Sequence, residues 1–383
     1  MTKAQVVNLT GHVNAVAQHF DFLPIAEHCA RAAAFPSQKA RAPKRPTDLP
    51  EHPRYRTLVK GIHDLYTHEL NGRRGNHLFY TFDDAGRDGV TITFHAIDTT
   101  HTFADPLLIQ VARSLLSQLG YEHRIRINMI GDSEAKRRFI KELADYFKRS
   151  GSQIPESIRS ISTKDVLTAY RALLATNDDA AYTSPVSINH LNEKSRRSLR
   201  ETLDYLDLSE TPYEIDPRLT GDYDYHSGFL FTVDVAPTRE TITSPCSVIG
   251  GSYDDYAHKH HDDRHSCASV TFRFTNHTEK PLPQKSTNGT TVALAAIGAT
   301  PKLYSYGILD TLLAAGISAH HNPISLSLSD QLRHAQKNNV DIILIAGTHE
   351  ANRKEVIIRD VRKEKQTTIP LEKLIKALNS CTS

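Results

Sequence analysis

The chain has 383 residues, which is long enough for two or three domains and a large buried core. Its hydrophobic content of 39% and charged content of 23% are typical of a soluble globular protein. No apolar run approaches the ~20 residues that span a bilayer, and a net charge of +2 does not by itself indicate a nucleic-acid-binding protein.

The four cysteines are far apart in the sequence and form no CxxC pair. They are Cys29, Cys246, Cys267 and Cys381. This spacing favours free thiols in a reducing compartment over a disulfide framework. The first residues also lack the charged-then-apolar pattern of a signal peptide, so we expect a cytoplasmic protein.

The first third of the chain alternates between helical and strand periodicities. The pattern predicts a helix at Val6–Phe20, a strand at Phe20–Ile25, a loop rich in proline and charge at Ser37–Pro53, a helix at Tyr55–Leu70, and a hairpin of His77–Asp83 with Val90–Ile97 around an AGRDG turn.

The middle of the chain continues this alternation. We predict a helix at Asp105–Leu119, a strand at Arg124–Asn128, a helix from Asp132, a helical insertion at about 150–185, a helix at Ser195–Leu206, and strands of one sheet at Tyr213–Ile215, Gly228–Val235 and Pro245–Ile249.

The end of the chain has the pattern of a small α/β domain with a parallel-biased sheet. Leu328, Leu332 and Ala335 lie at helical spacing, and an apolar strand follows at Asp341–Ala346. A second strand, EVIIRDV, and a helix at Leu371–Leu378 complete it. A polar, proline-containing stretch precedes this part, so we predict domains at 1–276 and 291–383 joined by a linker at 277–290.

Basic residues are concentrated around the EVIIRDV strand and its turn. They are Arg353, Lys354, Arg359, Arg362, Lys363 and Lys365. The pattern has two interpretations, an RNA-binding surface or a solvated sheet edge whose charges prevent pairing with other strands.

A second cluster, HKHHDDRHSC at His258–Cys267, contains potential metal ligands. Its candidate ligands are His258, His260, His261 and His265. The spacing matches no zinc pattern, and 21 histidines in the chain make such clusters common. The sequence therefore favours a solvated loop, and we expect no metal.

The segment Ile324–Ile369 resembles the anticodon-binding domain of histidyl-tRNA synthetases. Upstream segments resemble the same family in the same order: IRINMIGDSEAKR, VSINHLNEKSRRSLR with LDYLDLSETPYEIDPRL, LTGDYDYHSGFLF and SVIGGSYDDY. The resemblance implies a class II synthetase-like antiparallel sheet with flanking helices, followed by an α/β anticodon-binding-like domain. It also implies a homodimer formed through Val6–Ala32, and ATP and Mg if the protein is active.

The chain departs from this family at its catalytic motifs. Gly221 stands where the family has the arginine of its histidine-binding loop, and Ser252 replaces the arginine of GGRYD. FYTFD replaces the Arg-x-Glu of the second class motif, SVTFRFTNHTE at Ser269–Glu279 replaces the third motif, and TLVKGIH replaces the TLRPEGT loop. The retained pocket residues are Asp224, Tyr225, Gly250, Gly251 and Tyr253.

Forming an aminoacyl-adenylate brings a carboxylate against a phosphate, so cations must stabilise the transition state. Losing one such group costs on the order of 10²–10³ in rate if it resembles removal of one oxyanion donor. No catalytic residue is therefore assigned, and Arg87 and Arg273 are the compensating candidates.

Three functions follow from the resemblance. The first, which the sequence favours, is a paralogue that has lost ligation and binds tRNA, another structured RNA or a protein partner. The second is an active, divergent histidine–tRNA ligase. The third is a regulatory subunit of ATP phosphoribosyltransferase, against which the anticodon-like tail argues, because such subunits usually lack it.

Overall fold

The computed structural model describes most of the chain. The described residues are 3–33, 76–84, 89–99, 101–176, 178–221, 226–237, 245–261, 266–275, 291–317, 319–321 and 327–381. The predicted loop at Ser37–Pro53 and helix at Tyr55–Leu70 lie outside these residues.

Residues 3–275 contain one large sheet with flanking helices. The elements are α1 Lys3–His19, β1 Leu23–Pro24, α2 Ile25–Ala33, β2 His77–Asp84, β3 Val90–Ile97, α3 His101–Gln118, β4 His123–Gly131, α4 Ser133–Arg149, α5 Glu156–Ser162, α6 Val166–Leu174, α7 Asp179–Tyr182, α8 Glu193–Leu208, β5 Glu214–Ile215, β6 Gly228–Val235, β7 Cys246–Ser252, α9 Asp254–His261 and β8 Cys267–Phe274.

The strands of this sheet follow the order β1-β2-β3-β8-β7-β6-β4-β5. All pairs are antiparallel except β1 with β2 and β4 with β5. One face packs on α1 and α3 through apolar side chains such as Ile92, Phe94 and Phe272. Because strand residues alternate, the neighbouring positions form a second face, which we call the distal face. The predicted hairpin and the three strands from Tyr213 onward all belong to this sheet.

The helices α4 to α7 form a satellite core of their own beside the sheet. Phe139, Leu143 and Phe147 of α4 pack with Tyr170 and Leu173 of α6. Asp132 caps α4 by accepting a hydrogen bond of 3.0 Å from the Ala135 backbone N–H. The helices of residues 156–182 therefore pack around a hydrophobic core of their own.

Residues 291–381 form a second, five-stranded sheet. Its elements are β9 Val292–Ala296, α10 Ala299–Ala314, β10 Ala319–His321, α11 Leu328–Lys337, β11 Ile342–Ala346, α12 Thr348–Arg353, β12 Glu355–Asp360, β13 Lys365–Pro370 and α13 Leu374–Cys381. The order is β10-β9-β11-β12-β13, with β10, β9 and β11 parallel and β12 and β13 antiparallel. The expected large antiparallel sheet followed by an α/β domain is confirmed.

The two sheets share one hydrophobic core. A continuous cluster runs from α1 and α3 into α10, β9 and β11 of the second sheet. Polar contacts reinforce it: His19 Nε2 lies 2.8 Å from the Leu309 carbonyl, and Asp310 is bonded by Arg113 and, at 2.9 Å, by the Ser114 hydroxyl. The second sheet is thus packed against α1 and α3 rather than merely tethered to them.

Three predicted elements differ from the structure. The strand expected at Phe20–Ile25 is reduced to Leu23–Pro24, because Phe20 packs in the core at the end of α1. The expected loop at His258–Cys267 begins inside α9 and ends in β8. The helix expected at Leu371–Leu378 begins with a 3₁₀ turn at Leu371–Lys373 and continues as α13.

Candidate functional site

A row of small side chains crosses the distal face at the segments that replace the second and third class motifs. The register places Thr81, Thr93 and Thr271 side by side on β2, β3 and β8. Thr93 and Thr271 share a hydrogen bond of 3.0 Å, and all three residues are buried. Hydroxyl groups carry no charge, so this row cannot neutralise the phosphates of a nucleotide.

The FYTFD segment, which replaces the Arg-x-Glu of the second class motif, contains no arginine. Tyr80 points to the opposite face, where its hydroxyl donates a 2.6 Å hydrogen bond to Asn14 of α1. Strand alternation therefore leaves Phe79, Thr81 and Asp83 on the distal face. On this face the segment presents a ring, a hydroxyl and a carboxyl group, and none of them is a cation.

Of the two compensating candidates, Arg273 lies in the described structure and Arg87 lies outside it. Arg273 is half-buried on β8, opposite Thr91 and Ser247 and in the same row as Asp83. It is two residues from Thr271, so it is on the distal face about 7 Å from the threonine row along the strand. Its compensating role stays a prediction.

Gly221 occupies a position that does not admit an arginine. Its φ is +60°, and a Cβ there would lie 2.7 Å from Leu230 Cδ1 and 2.9 Å from His226 Nδ1. A side chain at this position would be strained and would have to displace the side chains of Leu230 and His226. Asp224 and Tyr225, the retained residues of the same loop, lie outside the described residues.

The retained pair Gly250-Gly251 lies inside β7. A Cβ on Gly250 would lie 2.3 Å from the Phe231 ring, and one on Gly251 would lie 2.6 Å from the Phe229 carbonyl. These glycines are required by close packing between strands. Tyr253, the retained residue two positions after Gly251, is fully buried, and burial raises the pKa of its hydroxyl well above 10.

Ser252 belongs to a polar cluster that the sequence did not reveal. Like Gly250 and Val248, it faces the helical layer, and its hydroxyl lies 3.2 Å from His101 Nδ1 and 3.2 Å from Asp105 Oδ1. His101 Nε2 lies 2.6 Å from Asp254 Oδ2, and the Cys267 backbone N–H donates to Asp254 at 2.7 Å. Because residue 252 faces the helical layer, having serine there in place of the family's arginine removes no cation from the distal face.

The charges of this cluster depend on one another. Burial alone lowers the pKa of His101, but its hydrogen bonds with Asp105 and Asp254 outweigh burial and raise that pKa well above 6.5. Burial raises the pKa of Asp105, which is 1% exposed, and the hydrogen bond with His101 partly opposes this. An imidazolium is therefore held between two carboxyl groups.

The cluster opens into a small cavity of about 130 Å³. The titratable side chains in its lining are His101, Asp105, Asp132, Lys194, Asp254 and Asp255. Four carboxyl groups against one lysine and one histidine make it an acidic pocket. His101 and Asp105 were missed because 151 residues separate His101 from Ser252, although their i,i+4 spacing on a helix was a usable signal.

The metal candidates do not form a site within the part of the chain that is described. His258 is exposed on α9, the side chains of His260 and His261 are not described, and His265 lies outside the described residues. No group of three or more metal-binding side chains occurs among the described residues.

The basic residues of the tail line the exposed edge formed by α12, β12 and β13. Four have carboxylate neighbours: Arg353 with Glu355 at 3.8 Å, Lys354 with Glu210 at 3.6 Å, Arg362 with Asp341 at 2.6 Å and Lys363 with Asp360 at 3.6 Å. Arg359 is exposed and makes no ion pair with a described residue. Exposed pairs of this kind are weak, so these cations can still contact phosphates.

Sequence comparisons agree with this layout. Residues 291–380 match the model of the anticodon binding domain family. The chain is 24% identical over 287 residues to a histidine–tRNA ligase of Thermosipho melanesiensis, covering 73% of this chain and 67% of that protein. It is 25% identical over 312 residues to a histidine–tRNA ligase of Geobacillus sp., covering 78% and 72%.

Among solved structures, apo histidyl-tRNA synthetase of S. aureus is similar at 16% identity and a TM-score of 0.45, covering 85% of this chain and 83% of that one. None of the described helices is long and apolar enough to cross a membrane. These sequence matches span both sheets, so the similarity to histidine–tRNA ligases extends over most of the chain, and residues 291–380 match the anticodon binding domain family.

Proposed function

We propose that this protein binds tRNA or another structured RNA and does not ligate histidine to it. The observation that carries the proposal is the threonine row of Thr81, Thr93 and Thr271 on the distal face. Adenylation needs cations around the reacting phosphate, and three hydroxyls in that place cannot supply them.

The surroundings of the row support the same conclusion. Gly221 has no room for the arginine of the histidine-binding loop. Arg126, at the far side of the face, is held by Asp216 and Asp234 at 2.6 Å each. With two or more cations lost, the rate would fall by on the order of 10⁴ or more if each resembles one oxyanion donor.

Histidine-dependent ATP–pyrophosphate exchange tests the loss of catalysis. We expect no exchange above a blank without histidine, whereas robust exchange would overturn the proposal. Filter binding at physiological salt tests the RNA partner: we expect tRNA to bind more tightly than random RNA of equal length, and equal affinities would reject a specific RNA role.

The second candidate is an active, divergent histidine–tRNA ligase. The relatives of this chain bear that name, and Arg273 lies on the distal face, one row from Thr271. In that case ATP and Mg would be the cofactors. A pyrophosphate exchange rate that falls on changing Arg273→Ala would favour this candidate.

The proposal also includes an oligomeric state and a cellular location for the protein. We propose a homodimer that uses Val6–Ala32, now seen as α1, β1 and α2, and a cytoplasmic location. A protein partner is the alternative to RNA. Light scattering gives the molar mass directly, and a monomer at micromolar concentration would contradict the dimer.

A further inference from the structure

A second cavity, of about 480 Å³, lies between the satellite helices and the edge of the large sheet. Three arginines, Arg126, Arg171 and Arg218, line it together with the ring of Tyr182. Asp216 is the one acidic side chain in its described lining. The cavity is separate from the acidic pocket at His101 and from the basic edge at β12 and β13.

The arginines differ in how much charge they offer a ligand. Arg126 is neutralised by Asp216 and Asp234 on either side. Arg218 donates to two neutral acceptors, the carbonyls of Tyr182 at 2.6 Å and Ala181 at 3.4 Å. Its positive charge is therefore held in place without being cancelled by those contacts.

Tyr182 is placed beside that charge. It ends α7, and the Arg218 guanidinium carbon lies 5.5 Å from the centre of its ring. Even with this contact Tyr182 is 61% exposed, which is unusual for a large aromatic side chain in a cleft. A ring beside a fixed guanidinium presents a stacking surface and a phosphate contact together.

The helices that carry Tyr182 are held rigidly. The Tyr170 hydroxyl donates to the Pro185 carbonyl at 3.0 Å, and the Tyr146 hydroxyl donates to the Ala180 carbonyl at 2.6 Å. Both bonds anchor the segment around α7 to the satellite core. The cavity is therefore formed before a ligand arrives, which lowers the entropic cost of binding.

We propose that this cavity binds one nucleotide unit of a single-stranded RNA segment, with the base stacked on Tyr182 and the phosphate at Arg218. Arg171, which donates to the Thr168 hydroxyl at 3.2 Å, adds to the positive side of the cavity. A base inside a duplex cannot reach such a ring, so the strand must be unpaired. The inference deepens the proposed RNA binding and rests on it.

Fluorescence anisotropy with a labelled single-stranded RNA of about eight nucleotides tests the site. Tyr182→Ala should weaken binding roughly 5- to 150-fold, the range for losing one base–aromatic stack. Tyr182→Phe keeps the ring and should bind like the original protein. Leu208→Ala, which alters another exposed large side chain (56% exposed), is the matched control and should have no effect.

A salt titration tests the phosphate contact. Arg218→Ala should lower the slope of log K against log salt by about 0.7, the value for one phosphate of a single strand. Arg218→Lys should keep the slope, and Arg333→Ala on α11 should leave it unchanged. Because Arg218 also holds the end of α7, thermal unfolding of each variant checks that the satellite helices remain folded.

The outcomes separate this inference from the proposed function. If Tyr182→Ala and Arg218→Ala bind the strand as tightly as the controls, the cavity assignment is wrong, although tRNA binding through the tail can still stand. If both weaken the strand but tRNA binds no better than random RNA, the cavity assignment stands and the specific RNA role fails. Equal competition by a free mononucleotide would reassign the cavity to nucleotides and overturn the RNA strand as its ligand.

Discussion

His101→Ala removes the imidazolium from the cluster at the start of α3. Asp105, 1% exposed, then keeps only the Ser252 hydroxyl and faces Asp254 without the intervening cation. Breaking a buried charge pair by removing one partner costs about 3–5 kcal/mol. The carboxyl group can instead take a proton, which from an ordinary pKa near 3.9 costs ~4 kcal/mol at pH 7. We therefore expect the free energy of unfolding to fall by about 2–4 kcal/mol.

The shifted pKa values of His101 and Asp105 determine how the stability loss in His101→Ala depends on pH. The pKa of His101 is raised in the folded state, so its stabilising contribution is fully present below pH ~6.5 and is lost as the pH rises through the folded pKa. The raised pKa of Asp105 also makes the protein less stable as the pH rises, because ionising this buried carboxyl group costs folding free energy above pH ~3.8. The difference between the original protein and His101→Ala should be largest near pH 6, decrease as the pH rises from ~6.5 through the folded pKa of His101, and be small near pH 4, where its carboxyl partners begin to take protons.

Urea unfolding of both proteins between pH 4 and pH 9 measures this difference. His349→Ala, which removes an exposed histidine, is the control and should change stability by less than about 0.5 kcal/mol. Adding Asp105→Asn to His101→Ala should recover part of the loss, since no charge remains to be buried. A loss as small as that of His349→Ala, or one independent of pH, would refute the assigned cluster.

The remaining predictions concern the loop, the core and the tail. Gly221→Ala should cost about 2–3 kcal/mol of unfolding free energy through its positive φ and two close contacts, while Gly307→Ala, with open space at its Cβ, should be neutral or slightly stabilising. Asp310→Ala should cost about 1–3 kcal/mol by calorimetry because two charge-assisted hydrogen bonds are lost, and no change would contradict the shared core. Arg359→Ala should lower the salt slope of tRNA binding by about 0.9, with Arg333→Ala as the unchanged control.

Much of the fold could be predicted because its periodicities are local. Val90–Ile97 of the β2–β3 hairpin alternates apolar and polar residues almost throughout, Gly228–Val235 is rich in β-branched and aromatic residues, and the helix from Asp132 begins with a residue that can cap it. The strand predicted at Phe20–Ile25 is too long because Phe20 and Phe22 pack in the core and do not belong to a paired strand. Periodicity cannot distinguish these uses of an apolar residue.

The candidate site was less predictable because it is made of distant residues. The motif comparison singled out Ser252 but could not say which face of β7 it occupies. That face depends on strand register, a tertiary property. The role of the glycine pair depends on the same property, because the Phe231 ring that requires Gly250 comes from the neighbouring strand. Gly221 was identified from sequence, but its inability to accept an arginine was visible only in three dimensions.

The continuous core between the two sheets has a consequence for how this protein could evolve. Deleting the C-terminal sheet would uncover the packed faces of α1 and α3, so a shortened chain would lose solubility whether or not RNA matters to it. Selection for a stable fold alone is thus enough to preserve α10 and its buried residues. The exposed guanidinium of Arg359 contributes to no such core. Selection for RNA binding would therefore be visible in whether descendants of this gene keep the basic residue at that edge, and not in whether they keep the domain.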